Sequence, residues 1–150
     1  MLNLEGETNV MNLGRLEPWG LLAMRVGFGL LLALRHGWGK VVGAYGHLFL
    51  DQEWGFVHGV EQMGFPVPLF FALCAALAEF AGGLFLALGL FTRYAAVFVI
   101  INMSVAVTRH LLTNMRYELA TLYLIVAVFL LIRGAGKLSL DSLLGKSTGR

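Results

Sequence analysis

The chain has 150 residues, of which 58% are hydrophobic and only 13% charged. A soluble domain carries about 25% charged residues, so this composition excludes an ordinary soluble enzyme and points to a single polytopic membrane domain over 1–150. The net charge of +2 carries little by itself, and the basic residues form no run or stripe, which excludes a nucleic-acid module.

Residues 1–17 are polar and slightly acidic. They lack the basic start of a cleavable signal peptide, so they read as a short uncleaved leader, with the first helix as insertion signal. That helix is expected over 18–43, with Pro18 suited to its first turn. It carries Arg25, Arg35, His36 and Lys40. At the α-helical pitch Arg25, His36 and Lys40 fall within about 60° of one another, with Gly29 beside them. Such a one-sided polar stripe belongs to a helix that faces a bundle. Arg35 points elsewhere and is expected to snorkel from near a helix end. Residues 44–65 mix aromatic and acidic side chains without Lys or Arg, as an interfacial segment does.

The second span is expected over 66–91, PVPLFFALCAALAEFAGGLFLALGLF, an apolar run with one ionisable acid, Glu79. Ala72, Ala75, Ala76, Glu79, Gly82 and Gly83 recur at steps of three and four, so they share one face. Small residues let membrane helices pack closely, which puts Glu79 on the packing side near mid-depth. There it either locks the bundle or serves a proton, ligand or partner. Its expected contact is Arg25 or His36, with Arg25 preferred because it is always charged. Cys74, the only cysteine, has no partner thiol and reads as a non-catalytic core or lipid-facing residue.

A turn near 89–94 leads to a third span over 95–112, with Asn102 in its middle and Arg109 about 20° away around the axis. The fourth span is expected over 116–133, with Glu118 in its first turn, where the helix dipole also favours an acid. The tail, 134–150, starts with a helix stop at Gly134, and Ser139 or Asp141 suits a cap for a short amphipathic piece. Its GAGK string lacks the spacing of a phosphate loop. With four spans, Arg15, Arg93, Arg133, Lys137, Lys146 and Arg150 fall on one side, against Lys40, Arg109 and Arg116 on the other. This bias places both termini in the cytoplasm of a multi-pass plasma (inner) membrane protein. The fold class is therefore all-α, an integral membrane four-helix transmembrane bundle with a short interfacial segment between helices one and two.

These residues resemble the DoxX family of small four-helix membrane proteins. The likeness rests on Arg25 followed by GWGK ending in Lys40, the GFPVP approach to the second helix, AEFAGGLFLALGLFTR, YELATLYL, and the tail GAGKLSLD. It covers roughly 19–144. Ala135 stands where the family often has proline, and the link 111–116 is shorter than the glycine-rich loop of many relatives. The resemblance implies association with redox systems. Some members are described as membrane subunits of a thiosulfate:quinone oxidoreductase, and another in a complex with a superoxide dismutase and a sulfurtransferase. More distant relatives act as cargo receptors or assembly helpers.

The candidate site is a set of buried polar residues: Arg25, His36, Lys40, Glu79, Asn102, Arg109 and Glu118. By depth, Lys40, Arg109 and Glu118 share an outer layer, so both cations are expected to reach Glu118. One account is a purely structural charge network in a membrane scaffold, ligand-binding or assembly protein. The other is an outward-facing pocket for a small anion, or for a quinone bonded by His36 or Lys40. Whether the chain is an enzyme stays open. No resident cofactor motif is legible, no cluster has metal-ligand spacing, and haem ligation by His36 and His110 is disfavoured because His110 turns away from the packing face. The expected partners are membrane lipid, other membrane or redox subunits and, compatibly, further copies of the chain.

Overall fold

The computed structural model describes residues 16–147. The leader up to residue 15 and the end of the tail, 148–150, lie outside the described residues. Among the described residues there are six helices and no strand: α1 Glu17–Phe49, α2 Gly55–Glu61, α3 Pro68–Leu88, α4 Thr92–Leu112, α5 Glu118–Arg133 and α6 Leu140–Ser147. Of these, α1, α3 and α4 are long and apolar enough to cross a membrane. The fourth expected span is shorter: α5 has 16 residues, about 24 Å at the α-helical rise.

The first helix corrects the expected end at residue 43. It continues to Phe49, and within it Leu31–Gly37 is π-helical. A π segment bonds i to i+5 and so holds more residues per turn. The phase of everything after Leu31 therefore slips relative to Arg25. The interfacial segment shrinks accordingly to a short link, α2, and the stretch leading to Pro68.

Glycine sets the closest packing. A Cβ on Gly29 would come within 2.4 Å of the Gly83 carbonyl oxygen, and one on Gly83 within 2.7 Å of the Gly29 oxygen. The backbones of α1 and α3 are thus in contact, as small-residue membrane interfaces allow. The small stripe of α3 is inside: Ala72, Ala76, Glu79, Gly82 and Gly83 are all buried. From there α3 packs on α4 and α4 on α5. Tyr123 of α5 closes the ring, with its side chain 5.3 Å (centroid to centroid) from both Phe28 and His36 of α1. The core between these helices holds Leu32, Leu86, Val99, Ala127 and Leu130, all fully buried.

The tail folds back on the end of the bundle that holds Glu17 and Leu88. Ser139 Oγ accepts from the Ser142 backbone N–H at 3.1 Å, so Ser139 caps α6. Asp141 caps a different helix: its two oxygens accept from the N–H groups of Phe91 (2.7 Å) and Thr92 (2.9 Å), at the start of α4. Backbone groups left open at a helix N-terminus need such acceptors, and an anion there also suits the dipole.

Arg25 belongs to this end, not to Glu79, and the expected Arg25–Glu79 pair is overturned. Its guanidinium donates to the carbonyls of Ala135, Leu138 (2.7 Å) and Ala87 (3.4 Å). Gly89, left-handed at φ +66°, lies against it, where a Cβ would be 2.5 Å from Nη1. Arg25 thus ties α1 to the α3–α4 turn and the tail, and its burial is compensated by carbonyl oxygens rather than by a carboxylate.

Candidate functional site

Glu79 sits near the middle of α3, with its side chain 5% exposed. Its Oε1 accepts from Lys40 Nζ at 2.5 Å and from Asn102 Nδ2 at 2.9 Å. Lys40 comes from the part of α1 beyond the π segment, and the ammonium also lies 4.5 Å from the centroid of the Phe56 ring on α2. Three long helices and α2 therefore meet around one carboxylate. The other oxygen, Glu79 Oε2, is buried without a hydrogen-bond partner.

Beside Glu79 lies a cavity of about 1040 Å³. Its inner part is lined by Leu32, His36, Glu79, Asn102, Met103 and Tyr123, and its walls by Phe56, Phe65, Phe71 and Phe98. It runs towards the end of the bundle that carries α2 and the α4–α5 link. There Arg109, His110, Arg116 and Glu118 line it, and Arg116 and Glu118 are exposed. Apolar walls with a few convergent polar groups are the usual make-up of a small-molecule site.

The seven expected residues divide. Six line this cavity: His36, Lys40, Glu79, Asn102, Arg109 and Glu118. Arg25 does not. Within the six, the expected pairings change. Lys40 is bonded to Glu79 rather than Glu118. Arg109 lays its guanidinium against Gly59 of α2, where a Cβ would be 2.9 Å from Nη1. Among the described residues, no carboxylate lies within 4 Å of Arg109. His36 packs edge-on against Tyr123 instead of reaching Glu79. The register of α1 on α3 decides the pairing: Gly37 packs against Glu79 and Phe80, and Gly29 against Gly83 and Ala87, so Lys40 lies within about a turn of the level of Glu79 while Arg25 lies near the far end of α3.

Tyr123, His110 and Arg116 line the cavity but lay outside the expected set. Tyr123 had no signal beyond being a phenol in an apolar helix. His110 was placed facing away, yet it lines the cavity, and its Nδ1 is buried without a partner. Cys74 is exposed and also lines the cavity, so the thiol is no core residue.

The DoxX family model matches residues 20–112, more than half of the chain. The chain belongs to the DoxX family. The matched stretch contains all but the first three residues of α1 and the whole of α2 to α4, hence Lys40, Glu79, Asn102 and Arg109. This DoxX chain is a membrane protein, helical without strands among its described residues, whose exposed apolar faces meet lipid. No curated protein and no solved structure matches it.

Proposed function

We propose that this DoxX protein is a four-span subunit of the plasma (inner) membrane, serving an oxidoreductase system by binding a quinol-type molecule in the Glu79 cavity. In this reading α5 is the fourth span, with Arg133 at its end, and both termini are cytoplasmic by the Lys/Arg bias. The observation that carries the reading is Glu79 Oε2. A carboxylate retained only to lock helices together would be expected to have both oxygens engaged, since buried polar atoms almost always find partners. Here one oxygen is taken and the other is buried beside a large cavity. It accepts and cannot donate while ionised, so it suits a ligand that brings a hydroxyl. The aromatic walls suit a ring and an apolar tail.

A quinone, when bound, supplies carriage of electrons together with protons. The chain's own part is to orient the head. Lys40 and Asn102 hold the carboxylate in place through Oε1, which leaves Oε2 to receive a hydroxyl proton donor. The phenyl walls leave the mouth at Arg116 and Glu118 as the way in for water.

A second reading has an observation of its own. Arg109 has no carboxylate partner among the described residues, and Arg116 lines the same mouth, so an anionic group could seat there.

The test follows the fluorescence of Trp54, whose ring lies 5.6 Å from the cavity residue Phe56, in lipid nanodiscs titrated with a short-chain quinol. Saturable quenching is expected, weakened about tenfold in Glu79→Gln, the worth of one good hydrogen bond. Absence of saturation in the native protein would overturn the reading. Quenching sensitive to salt and to Arg109→Gln but not to Glu79→Gln would favour the anion reading.

A further inference from the structure

Arg35 is the one charge inside α1 that the bundle leaves unanswered. Ala33 and Gly37, two residues before and after it, are buried against α3, so Arg35 faces the opposite way. It is exposed, between exposed Leu31, Leu34 and Trp38. Among the described residues no carboxylate lies within 4 Å of it. The sequence placed it near a helix end, but α1 runs on to Phe49 and leaves it deep inside.

Its depth follows from α3. A Cβ on Gly37 would touch the backbone of Glu79 and Phe80, and one on Gly29 would touch Gly83 and Ala87. Arg35 is therefore level with Phe80 or Ala81, roughly three residues from the middle of α3, or about 4 Å at the α-helical rise. About 11 Å of hydrocarbon then separates it from the nearer interface, given a core about 30 Å thick. That exceeds the reach of an extended arginine. Charges at such depth face protein or a water-filled cavity and are paired. The other deep charges among the described residues obey that rule: Glu79 and Lys40 hold each other, with Asn102 on the same carboxylate oxygen.

The same face also admits a close neighbour. Gly27 and Gly39 are both exposed, and a Cβ added at either would meet nothing within 4 Å. Open glycines on a membrane helix let a second backbone approach.

We propose that the Arg35 face of α1 docks a transmembrane helix of a different protein that carries a carboxylate at mid-depth. Charge complementarity names the occupant. A second copy of this chain does not supply it, because Glu79, the only mid-depth acid among the described residues, is buried and bonded within its own bundle. A symmetric contact on this face would moreover bring two Arg35 side chains together. The surface is separate from the Glu79 cavity, which Arg35 does not line, and the proposal does not depend on what that cavity binds.

The experiment uses the full chain in phosphatidylcholine vesicles with synthetic leucine–alanine helices of about 21 residues, long enough to span. Each helix has lysine ends and a single central Glu, Gln or Leu. Energy transfer between labelled chain and labelled helix reads association. The Glu helix is expected to bind about tenfold more tightly than the Leu helix, the worth of one intramembrane polar contact in model helices. Arg35→Leu should abolish that advantage. Arg35→Glu should transfer it to a helix with a central Lys. Equal binding of the Glu and Leu helices, or an advantage that survives Arg35→Leu, would overturn the proposal. So would energy transfer between two native chains that Arg35→Leu removes, since the occupant would then be a second copy.

Discussion

Replacing Lys40 with Met keeps the length of the side chain and removes the ammonium 2.5 Å from Glu79 Oε1. The carboxylate that remains is 5% exposed and keeps only Asn102. Breaking a fully buried pair by removing one partner costs about 3–5 kcal/mol. Lys40 is 25% exposed, and the cavity can admit water to the stranded carboxylate, so the lower end applies, about 3 kcal/mol. For a chain of this size that is a fall of roughly 6–12 °C in Tm. Glu79→Gln should cost less, about 1–2 kcal/mol, because Lys40 can turn its ammonium to water while Gln keeps the Asn102 contact. The double variant should cost less than the sum of the two, with a coupling of about 2 kcal/mol. The assay is a double-mutant cycle of thermal unfolding in mild detergent, at one detergent concentration throughout. A coupling within about 0.5 kcal/mol of zero, the limit for independent sites, would show that Lys40 and Glu79 do not hold each other. The same cycle on Arg25 and Glu79 should give zero, because the two are bonded to different ends of the bundle.

Gly83→Leu should prevent the α1–α3 backbone contact and abolish a monodisperse folded fraction on size exclusion, whereas Gly20→Ala, with open space around it, should be neutral. Asp141→Ala should uncap α4 and lower stability by about 1–2 kcal/mol, while Ser139→Ala should loosen only the tail; both are read by thermal unfolding. Cys74→Ala should leave quinol quenching of Trp54 intact, but alkylating Cys74 with a bulky maleimide should block it, since the thiol lines the cavity. Reporter fusions at Asp51 and after Arg150 should report opposite sides of the membrane; finding both on the same side would refute the four-span arrangement.

How far the chain could be read without coordinates depended on the kind of signal. The packing face of α3 was legible because small residues at steps of three and four are written in the sequence, and Glu79 sits among them. Lys40, His36, Asn102, Arg109 and Glu118 were legible as a set because each is polar in an apolar helix. Their pairing was not. Lys40 was assigned to an outer layer with Glu118 because nothing in the sequence fixes how α1 slides along α3, and nothing in Leu31–Gly37 announces i→i+5 bonding. Arg25 was misassigned for a different reason: its acceptors are main-chain carbonyls, one on α3 and two in a segment more than a hundred residues later, and carbonyls carry no sequence mark. His110 failed because one angle from one helix axis does not say how far a cavity extends around it.

The cap that Asp141 places on α4 orders events in time. The residues that complete the start of α4 and the seat of Arg25 leave the ribosome after the whole of α1 to α5. Until they arrive, the N–H groups of Phe91 and Thr92 and the Arg25 guanidinium must be served by water or lipid headgroups. The helices can insert before that, but their common end cannot close. Synthesis of residues 134–141 is therefore a latch on a bundle already in place, and a chain stopped at Arg133 is expected to reach the membrane yet remain open to protease at its α3–α4 turn.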